Sequence, residues 1–267
     1  MIKNKKLPVK DSYDIEDLRR IMEILRSPEG CPWDREQTHA SIRGNLLEEA
    51  YEAADAIDQK DDEALCEELG DVLLQVVFHA RMAEEAGSFD LDRVADGICK
   101  KLILRHPHVF GDVQADTADQ VLTNWEKIKQ AEKHQDTATD TLESVPKAFP
   151  ALMRAQKVQK RAGKAGFDWP DIAGALEKLP EETAELQEAL AASDKDAIAD
   201  EMGDLLFAAV NVSRFAGVDA EEALQRSTEK FIRRFAGVEK LAAERGVDMK
   251  TASLEELDKL WEEVKGK

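Results

Sequence analysis

The sequence is short of the residues that mark several large classes of protein. It has three cysteines, Cys31, Cys66 and Cys99, and their wide separation is unlike the paired spacing of a zinc site or a redox dithiol. Such cysteine usage fits a reducing compartment. No apolar run is long enough to span a bilayer, and the basic stretch at residues 1–10 is followed by acidic residues rather than by the apolar core of a signal peptide. We therefore expect a cytoplasmic protein that does not enter a membrane.

Basic and aromatic residues are also scarce. Lys and Arg number 37 against 56 Asp and Glu, which gives a formal charge of −19. A chain of this charge repels nucleic acid and anionic lipid surfaces, so neither is an expected partner. A small phosphorylated substrate is compatible with the charge, because a divalent cation can invert the field around acidic side chains. Aromatic residues make up only 6% of the chain, while Ala, Leu, Glu, Lys and Asp dominate, which favours helix over sheet.

The chain contains an internal repeat. The stretch from Leu47, LEEAYEAADAIDQKDDEALCEELGDVLLQVV, aligns without a gap with the stretch from Pro180, PEETAELQEALAASDKDAIADEMGDLLFAAV. Outside this stretch a basic pair and an aromatic–lysine pair also recur: Lys101 and Arg105 match Lys230 and Arg234, and Trp125 and Lys129 match Trp261 and Lys265. We predict an N-terminal helical repeat over residues 1–134, a linker and connecting helix over 135–164, and a C-terminal repeat over 165–267.

The periodicity of apolar residues is helical throughout, so the predicted fold class is all-α. Within each copy apolar residues recur at three- and four-residue steps. Short polar breaks at 59–62 and 193–196 predict turns that fold two helices back as an antiparallel pair. Between the copies, residues 135–150 contain two prolines and polar residues typical of a linker, and a short basic helix is predicted over 151–164.

Carboxylates recur at helical spacing on both arms of each predicted hairpin. Glu182 and Glu185 lie one turn apart, and Glu201 with Asp204 do so on the partner helix. Folding would bring these four anions into one small volume, where they need protons or a cation. Oxygen ligands suit Mg²⁺, or Mn²⁺, better than zinc. The first copy repeats the pattern and forms a second candidate metal site, at Glu49, Glu52, Glu68 and Asp71.

A solvated acidic face is the plain alternative for a single EExxE motif. The full EExxE and ExGD pattern occurs twice at the same separation among apolar neighbours, which favours metal binding. A ferritin-like di-iron bundle would need two ExxH motifs, and only Glu36 with His39 has this spacing. Gly70 and Gly203 beside the acidic residues predict a close approach of another helix or of a ligand. Pro180 predicts that its helix either starts there or is kinked.

Basic and aromatic residues of the second copy are candidates for substrate binding. Lys230, Arg233 and Arg234 lie on one segment of an acidic protein, where phosphate neutralisation is a natural role; for Arg233 a surface salt bridge is an equal alternative. Trp261 and Lys265 lie one turn apart, a spacing at which the ring could meet a base or ribose while the ammonium reaches phosphate. A Trp at a helix end is more often a packing residue. Lys178 and Asp200, beside the acidic motifs, are further substrate-binding candidates.

Several segments together resemble the MazG family of all-α nucleoside triphosphate pyrophosphohydrolases, in its two-domain bacterial form: CPWDREQT, LLEEAYE, ELGDVLLQVVFHA, RHPHVFGD, PALMRAQKVQKRA, GFDW, DEMGDLLFA and KFIRRF. The resemblance implies hydrolysis of nucleoside triphosphates to monophosphate and pyrophosphate, with broad base tolerance, by a homodimer. It also implies that the second copy is the main catalytic unit and that the first serves folding and dimerisation. The residues alone leave this open, because the first copy retains the matching carboxylates and basic residues.

The predicted mechanism places five carboxylates of the second copy at the reaction. Glu182, Glu185, Glu201 and Asp204 hold Mg²⁺ ions, which lower the pKa of a water that attacks the α-phosphorus. Lys230 and Arg234 stabilise charge on the departing pyrophosphate. Glu181, or a carboxylate not engaged with metal, takes the proton of the water. Two rival hypotheses are a non-catalytic helical interaction protein and a pyrophosphatase with a narrow substrate, such as dUTP or a phosphoribosyl-nucleotide.

Overall fold

The computed structural model describes residues 9–132 and 135–266, and all regular secondary structure in these ranges is α-helix. The predicted all-α fold is confirmed. The helices, in chain order, are α1 (Ile15–Leu25), α2 (Pro32–Glu36), α3 (Arg43–Gln59), α4 (Asp62–Glu85), α5 (Leu91–Arg105), α6 (Pro107–Phe110), α7 (Ala118–Glu132), α8 (Ala138–Glu143), α9 (Ala151–Lys164), α10 (Ile172–Ala192), α11 (Lys195–Phe215), α12 (Ala220–Arg245) and α13 (Leu254–Lys265). The chain divides into two compact units, Met1–Ile128 (unit 1) and Lys129–Lys267 (unit 2).

Helices α3 and α4 form the long hairpin of unit 1. The chain reverses at Lys60, which adopts the left-handed conformation with φ of 58°. Asp61 then caps α4, because its carboxylate accepts hydrogen bonds from the amides of Glu63 and Ala64. Helix α4 also packs against α1 and α5. The buried core of this unit consists of Met22, Ile42, Val77, Phe78 and Met82.

Helices α10 and α11 form the equivalent hairpin of unit 2 by the same local means. Ser193 takes the left-handed conformation with φ of 56°, and Asp194 caps α11 through the amides of Asp196 and Ala197. Both reversals lie where the polar breaks in the sequence predicted turns. Helix α9 packs against α11 and α12, and α13 packs along α12. The core between α12 and α13 is built on Val238, Ala242 and Leu260.

For two kinds of special residue in the hairpins, the structure contradicts one of the two alternatives that the sequence left open. Helix α10 begins at Ile172, capped by the side chain of Asp171, so Pro180 lies inside the helix and does not start it, and a kink at Pro180 stays a prediction. The eight residues before Pro180 are helical. The N-cap and the packing of α10 on α11 stabilise the helix by more than it loses from the absent backbone N–H of Pro180. Gly70 and Gly203 do not mark a close approach of another helix: a Cβ at either position would meet no described atom within 4 Å. Both glycines face open space, and contact with a ligand there stays a prediction.

The segment predicted as a linker contains ordered structure over residues 135–150. Helix α8 lies within it and packs against α9, and Val145 is fully buried. Arg161 of α9 donates hydrogen bonds to the Thr141 carbonyl and to the Ser144 hydroxyl, the latter at 2.6 Å. The predicted basic helix over 151–164 is confirmed as α9. The predicted domain boundaries stay predictions, and residues 133–134 at the end of the first predicted repeat lie outside the described ranges.

Crossing a membrane would need a helix that is both long and apolar. Within residues 9–132 and 135–266 no helix combines these two properties.

Candidate metal centre and active site

The hairpin of unit 2 brings three carboxylates together. Glu182 on α10 and Glu201 and Asp204 on α11 each offer an oxygen, and these oxygens lie within 4.8 Å of one another. Glu182 is buried, with 7% of its surface exposed, while Glu201 is half-buried and Asp204 is exposed. Oxygen ligands about 2.1–2.4 Å from one ion lie within roughly 5 Å of each other. The three oxygens therefore fit the ligand shell of one hard divalent cation.

Glu185 lies beside this group but is not part of it. Four carboxylates were predicted to converge, and three share the close spacing. Burial raises the pKa of Glu185, and the negative charges of Glu182, Glu201 and Glu181 raise it further. Glu185 thus feels the charges of Glu182 and Glu201 without joining the close group of three oxygens.

Lys178 brings a positive charge into contact with the acidic group of unit 2. Its Nζ lies 2.7 Å from an oxygen of Glu181 and 3.0 Å from an oxygen of Glu182. Both contacts join residues one helical turn apart on α10. The two carboxylates raise the pKa of Lys178 well above its ordinary value. Lys178 therefore stays protonated, and Glu182 stays fixed on the face of α10 that meets α11.

The hairpin of unit 1 brings together the three matching carboxylates, Glu49, Glu68 and Asp71, again with one oxygen of each within 4.8 Å of the others. All three are half-buried. Burial raises the pKa of Glu49, as do Asp71 and Glu52, and the pKa of Glu68 is raised by burial and then by Glu52 and Asp71. The position that aligns with Lys178 is Asn45, which carries no charge. A divalent cation would thus relieve the repulsion in unit 1 without competing with an ammonium group.

The predicted phosphate-binding residues lie on another helix. Lys230, Arg233 and Arg234 are carried by α12, where the first two are exposed and Arg234 is half-buried. Within the part of the chain that the structure describes, the side chains of these three residues make no hydrogen bond and no ion pair. No such contact joins them to the acidic group of unit 2 either. Asp200 is exposed on α11. The substrate-binding roles of these four residues stay predictions.

Trp261 and Lys265, the predicted base- and phosphate-binding pair, have local partners. The Trp261 ring packs against the buried cluster of α12 and α13, with its centroid 5.2 Å from that of Phe231. Lys265 forms an ion pair with Glu262 at 2.7 Å. The packing role that is common for a Trp at a helix end is therefore present here. Contact of either residue with a nucleotide stays a prediction.

The sequence interpretation counted the segment GFDW toward the family resemblance but gave no role to the ordered loop that contains it, which lies next to the acidic hairpin. The loop 165–171 joins α9 to α10 and contains Asp168, whose carboxylate forms an ion pair with Arg214 of α11 at 2.6 Å. The hydrogen bond from Arg214 holds the pKa of Asp168 below its usual range. Its neighbour Trp169 lies against Gly174 of α10. The sequence pattern gives no distance between Asp168 and Arg214, so their ion pair could not be read from it.

The fold and the two acidic groups define the class of this protein: a tandem all-α protein built on two carboxylate-bearing helical hairpins. Residues 37–110 and 172–238 match the family model described as the MazG nucleotide pyrophosphohydrolase domain. These two segments span the hairpins and both groups of three carboxylates. The chain belongs to the MazG family, and the resemblance seen in its sequence is confirmed.

Curated relatives match this chain over nearly its whole length. It is 47% identical over 254 residues to a nucleoside triphosphate pyrophosphohydrolase of Escherichia coli (strain K12), which covers 94% of this chain and 97% of that protein. It is 48% identical over 251 residues to a nucleoside triphosphate pyrophosphohydrolase/pyrophosphatase MazG of Thermotoga maritima, covering 94% and 95% of the two chains. The Bacillus subtilis protein YabN, described as uncharacterized, is 46% identical over 263 residues, which are 97% of this chain and 54% of YabN. The chain is an enzyme of the pyrophosphohydrolase class.

Proposed function

We propose that this enzyme hydrolyses nucleoside triphosphates to nucleoside monophosphate and pyrophosphate, with Mg²⁺ as its cofactor and with broad base specificity. The observation that carries the proposal is the proximity of carboxylate oxygens of Glu182, Glu201 and Asp204, in a chain that belongs to the MazG family. The relatives from E. coli and T. maritima, which align over more than nine tenths of the chain, bear the name of this activity. Mn²⁺ has the same preference for oxygen ligands and would replace Mg²⁺.

The acidic group of unit 2 would hold the cation through Glu182, Glu201 and Asp204, with Glu185 next to them. An all-oxygen donor set selects a hard cation over zinc. When bound, such an ion neutralises phosphate charge and lowers the pKa of a coordinated water. Lys178 holds Glu182 in place through its 3.0 Å contact, which limits the freedom of a ligand that is already buried.

The proposed reaction is attack of water on the α-phosphorus. The oxygen of the water bonds to the α-phosphorus while the bond from the α-phosphorus to the oxygen bridging to the β-phosphorus breaks, and that oxygen leaves with pyrophosphate. Glu181 and Glu185, both at the edge of the acidic group, are the two candidates for the acceptor of the proton. Lys230 and Arg234, with Arg233 beside them, would neutralise charge on the departing pyrophosphate.

We further propose that unit 2 is the main catalytic unit. Its acidic group has an ammonium partner in Lys178, which contacts both Glu181 and Glu182, whereas unit 1 has Asn45 at the aligned position. A protonated lysine at this point can also contact a phosphate oxygen, as charge-assisted donors do in phosphate sites. Unit 1 keeps the acidic residues but lacks this donor.

The test is pyrophosphate release over a panel of ribo- and deoxyribonucleoside triphosphates, dUTP included, with Mg²⁺. Wild type is compared with Glu182→Gln and with the matched substitution in unit 1, Glu49→Gln. We expect Glu182→Gln to lower kcat/KM by a factor on the order of 100 or more, because a ligand oxygen is replaced by a neutral amide. Glu49→Gln should keep activity within about threefold of wild type. Circular dichroism checks that both variants are folded.

Three outcomes of this panel would contradict the proposal. Unchanged turnover in Glu182→Gln would show that the active site does not lie in unit 2. Hydrolysis of one base alone would replace broad specificity by a narrow one. No pyrophosphate from any substrate would favour a non-catalytic interaction protein.

We also propose a homodimer. Large apolar side chains stay at the surface of both units, more than half exposed in several cases: Leu69 at 54%, Ile103 at 52%, Leu190 at 54%, Phe231 at 54% and Ile232 at 55%. Contiguous exposed apolar surface usually marks an interaction site. A second copy of the chain is the proposed partner, and no nucleic acid or membrane is needed to cover these residues.

A further inference from the structure

Helix α9 carries most of the segment PALMRAQKVQKRA, residues 150–162, and no step of the proposed reaction uses it. Two of its polar side chains hold neighbouring elements. Gln156 donates a hydrogen bond to the Val218 carbonyl and accepts one from the Ala220 amide, both at 2.9 Å. Gln159, which is buried, donates to the Phe207 carbonyl at 2.8 Å. These contacts fix α9 against α11 and the start of α12, so the two glutamines have structural roles.

Arg154 of the same segment has no comparable contact. The Nε atom of its side chain is buried and has no hydrogen-bond partner, and its guanidinium forms no ion pair with any residue that the structure describes. A guanidinium offers five N–H donors, and a buried donor without an acceptor is destabilising. An acceptor on a bound ligand explains an arginine in this position better than packing alone does.

Arg154 lines a cavity of about 450 Å³ in unit 2. Its walls come from α8, α9, the segment between these helices and α11, and Phe149, Val158 and Phe207 supply apolar surface. The ammonium group of Lys157 lies over the Phe149 ring, 5.6 Å from its centroid, which helps to hold this ring in place. Cavities of roughly 300–1,000 Å³ with mostly apolar walls and a few polar groups are typical of small-molecule sites. Both the size and the lining of this cavity fit that class.

The charges around the cavity favour an anion. Besides Arg154, it is lined by Lys147 and Glu143, which are both exposed to solvent. Neither of these two forms an ion pair with another residue in the described ranges. Two cations and one carboxylate leave the lining with a net positive charge, in a chain whose formal charge is −19. The carboxylate disfavours a polyphosphate, whereas an anion of single charge meets a net attraction.

We propose that this cavity binds a small organic anion of single charge with an apolar body that contains aromatic rings. The body packs against Phe149, Val158 and Phe207, and the charged group accepts hydrogen bonds from Arg154, including one from the unpartnered Nε. None of the three close carboxylates of unit 2 lines the cavity. The site is therefore separate from the proposed catalytic centre.

Two fluorescent probes with the same ring system test the proposal on the full chain. Anilinonaphthalene sulfonate carries one sulfonate on its rings, and phenylnaphthylamine has the same rings without the charge. We expect both to bind wild type with a rise in fluorescence, because the cavity shields their rings from water. Arg154→Met should weaken binding of the sulfonate at least about fivefold and leave that of phenylnaphthylamine within about twofold, because methionine keeps an apolar side chain but removes the cation.

Two further variants distinguish the cavity from other apolar surface. Ala155 lines the cavity, so the larger side chain of Ala155→Leu should weaken binding of both probes at least about fivefold. Lys160 is an exposed lysine of α9 outside the lining. Lys160→Met removes one positive charge from the same helix and should bind both probes within about twofold of wild type. Circular dichroism checks that all three variants are folded.

Competition distinguishes the cavity from the acidic group, since Phe207 follows Asp204 by less than one turn of α11. Tripolyphosphate with Mg²⁺ should leave the bound sulfonate in place, and its displacement would overturn the proposal. Unchanged binding of the sulfonate in Arg154→Met or in Ala155→Leu would do so too, as would equal losses of the two probes in Arg154→Met, an equal loss of the sulfonate in Lys160→Met, or no binding of the sulfonate to wild type. Pyrophosphate release by wild type judges the proposed function separately.

Discussion

The single-residue contrast that matters most is between Lys178 and Asn45. The two units carry the same three carboxylates at the same spacing, but among residues 9–132 and 135–266 an ammonium group contacts one of them in unit 2 alone. In unit 1 the pKa of Glu49 and that of Glu68 are both raised, chiefly by burial. The charged forms of these residues are thus disfavoured until a cation arrives. One lysine distinguishes an acidic group that is partly neutralised from one that is not.

Replacing Lys178 by Met should move the acid limb of the pH profile of kcat/KM to higher pH. The positive charge of Lys178 lowers the pKa of Glu185, against the effects of burial and of three neighbouring carboxylates. Without it the pKa of Glu185 rises further, and protons compete with the cation at a higher pH. The profile is measured at saturating Mg²⁺ beside Lys195→Met, an exposed lysine of α11. Coincident acid limbs in wild type and Lys178→Met would contradict the expectation.

A histidine pair in unit 1 should make stability depend on pH. The Nδ1 atoms of His39 and His79 lie 2.8 Å apart, and the two rings stack at 5.1 Å. Burial lowers the pKa of His79 below 6.5, and the proximity of His39 lowers it further. The unfolded state then binds more protons than the folded state, so the stabilising contribution present above pH 6.5 is lost as the pH falls toward the folded-state pKa.

We expect His79→Phe to flatten this dependence. Urea unfolding between about pH 7.5 and about pH 5.5 should show a smaller loss of free energy of unfolding in the variant than in wild type. An equally steep loss in both proteins would show that other groups account for the acid sensitivity.

The elements show how far the sequence predicts this fold. Both hairpin turns were predicted, because polar breaks between helical patterns are local signals that the cap residues Asp61 and Asp194 reinforce. The start of α10 at Ile172 was not predicted. Pro180 is a strong local signal for a helix start or a kink, and tertiary packing outweighs the signal for a start. Helix α8 was missed because the two nearby prolines indicate a linker, whereas the burial of Val145 depends on packing against α9.

The candidate site was predictable to a similar extent. Helical spacing indicated that Glu182 and Glu185 share one face of α10 and that Glu201 and Asp204 share one face of α11. It could not show that Glu182 is buried in the acidic group while Glu185 lies outside the three close oxygens. Burial depends on how α10 and α11 pack, and the sequence pattern carries no such distances. The contact of Trp169 with Gly174 was also out of reach, because it joins a loop to a helix surface.

Two helical glycines should respond in opposite ways to alanine. At Gly174 of α10 the added Cβ would overlap the rigid Trp169 ring, so Gly174→Ala should lower the free energy of unfolding by roughly 1–3 kcal/mol. At Gly203 of α11 the Cβ meets open space, so Gly203→Ala should raise it by roughly 0.5–1 kcal/mol. Denaturant unfolding of both variants measures the difference. Destabilisation by Gly203→Ala to the same degree as by Gly174→Ala would contradict the packing described for these helices.

For the whole molecule, the dominant quantity is the charge of −19. Charge of one sign destabilises a compact state through self-repulsion, and the acidic groups concentrate part of it within two hairpins. Binding of divalent cations to the folded state alone would offset this repulsion and stabilise the protein by mass action. Cofactor binding and stability are therefore expected to be coupled in this enzyme.

The exposed apolar residues predict the oligomeric state. Sedimentation equilibrium should give a mass twice that of the 29.8 kDa chain at micromolar concentration, because the apolar side chains left at the surface of each unit would be covered by a second copy. The midpoint of unfolding should then rise with protein concentration. A mass of one chain that does not change with concentration would contradict the dimer.

The central claim is that the carboxylates of the two hairpins bind a hard divalent cation, and titration with Mn²⁺ tests it most directly. Electron paramagnetic resonance reports the free ion, so the number and affinity of bound ions follow from its signal. We predict that wild type holds Mn²⁺ at sites that Mg²⁺ competes for, and that the double variant Glu49→Gln with Glu182→Gln loses these sites while remaining folded. Equal stoichiometry and affinity in the two proteins would contradict the account.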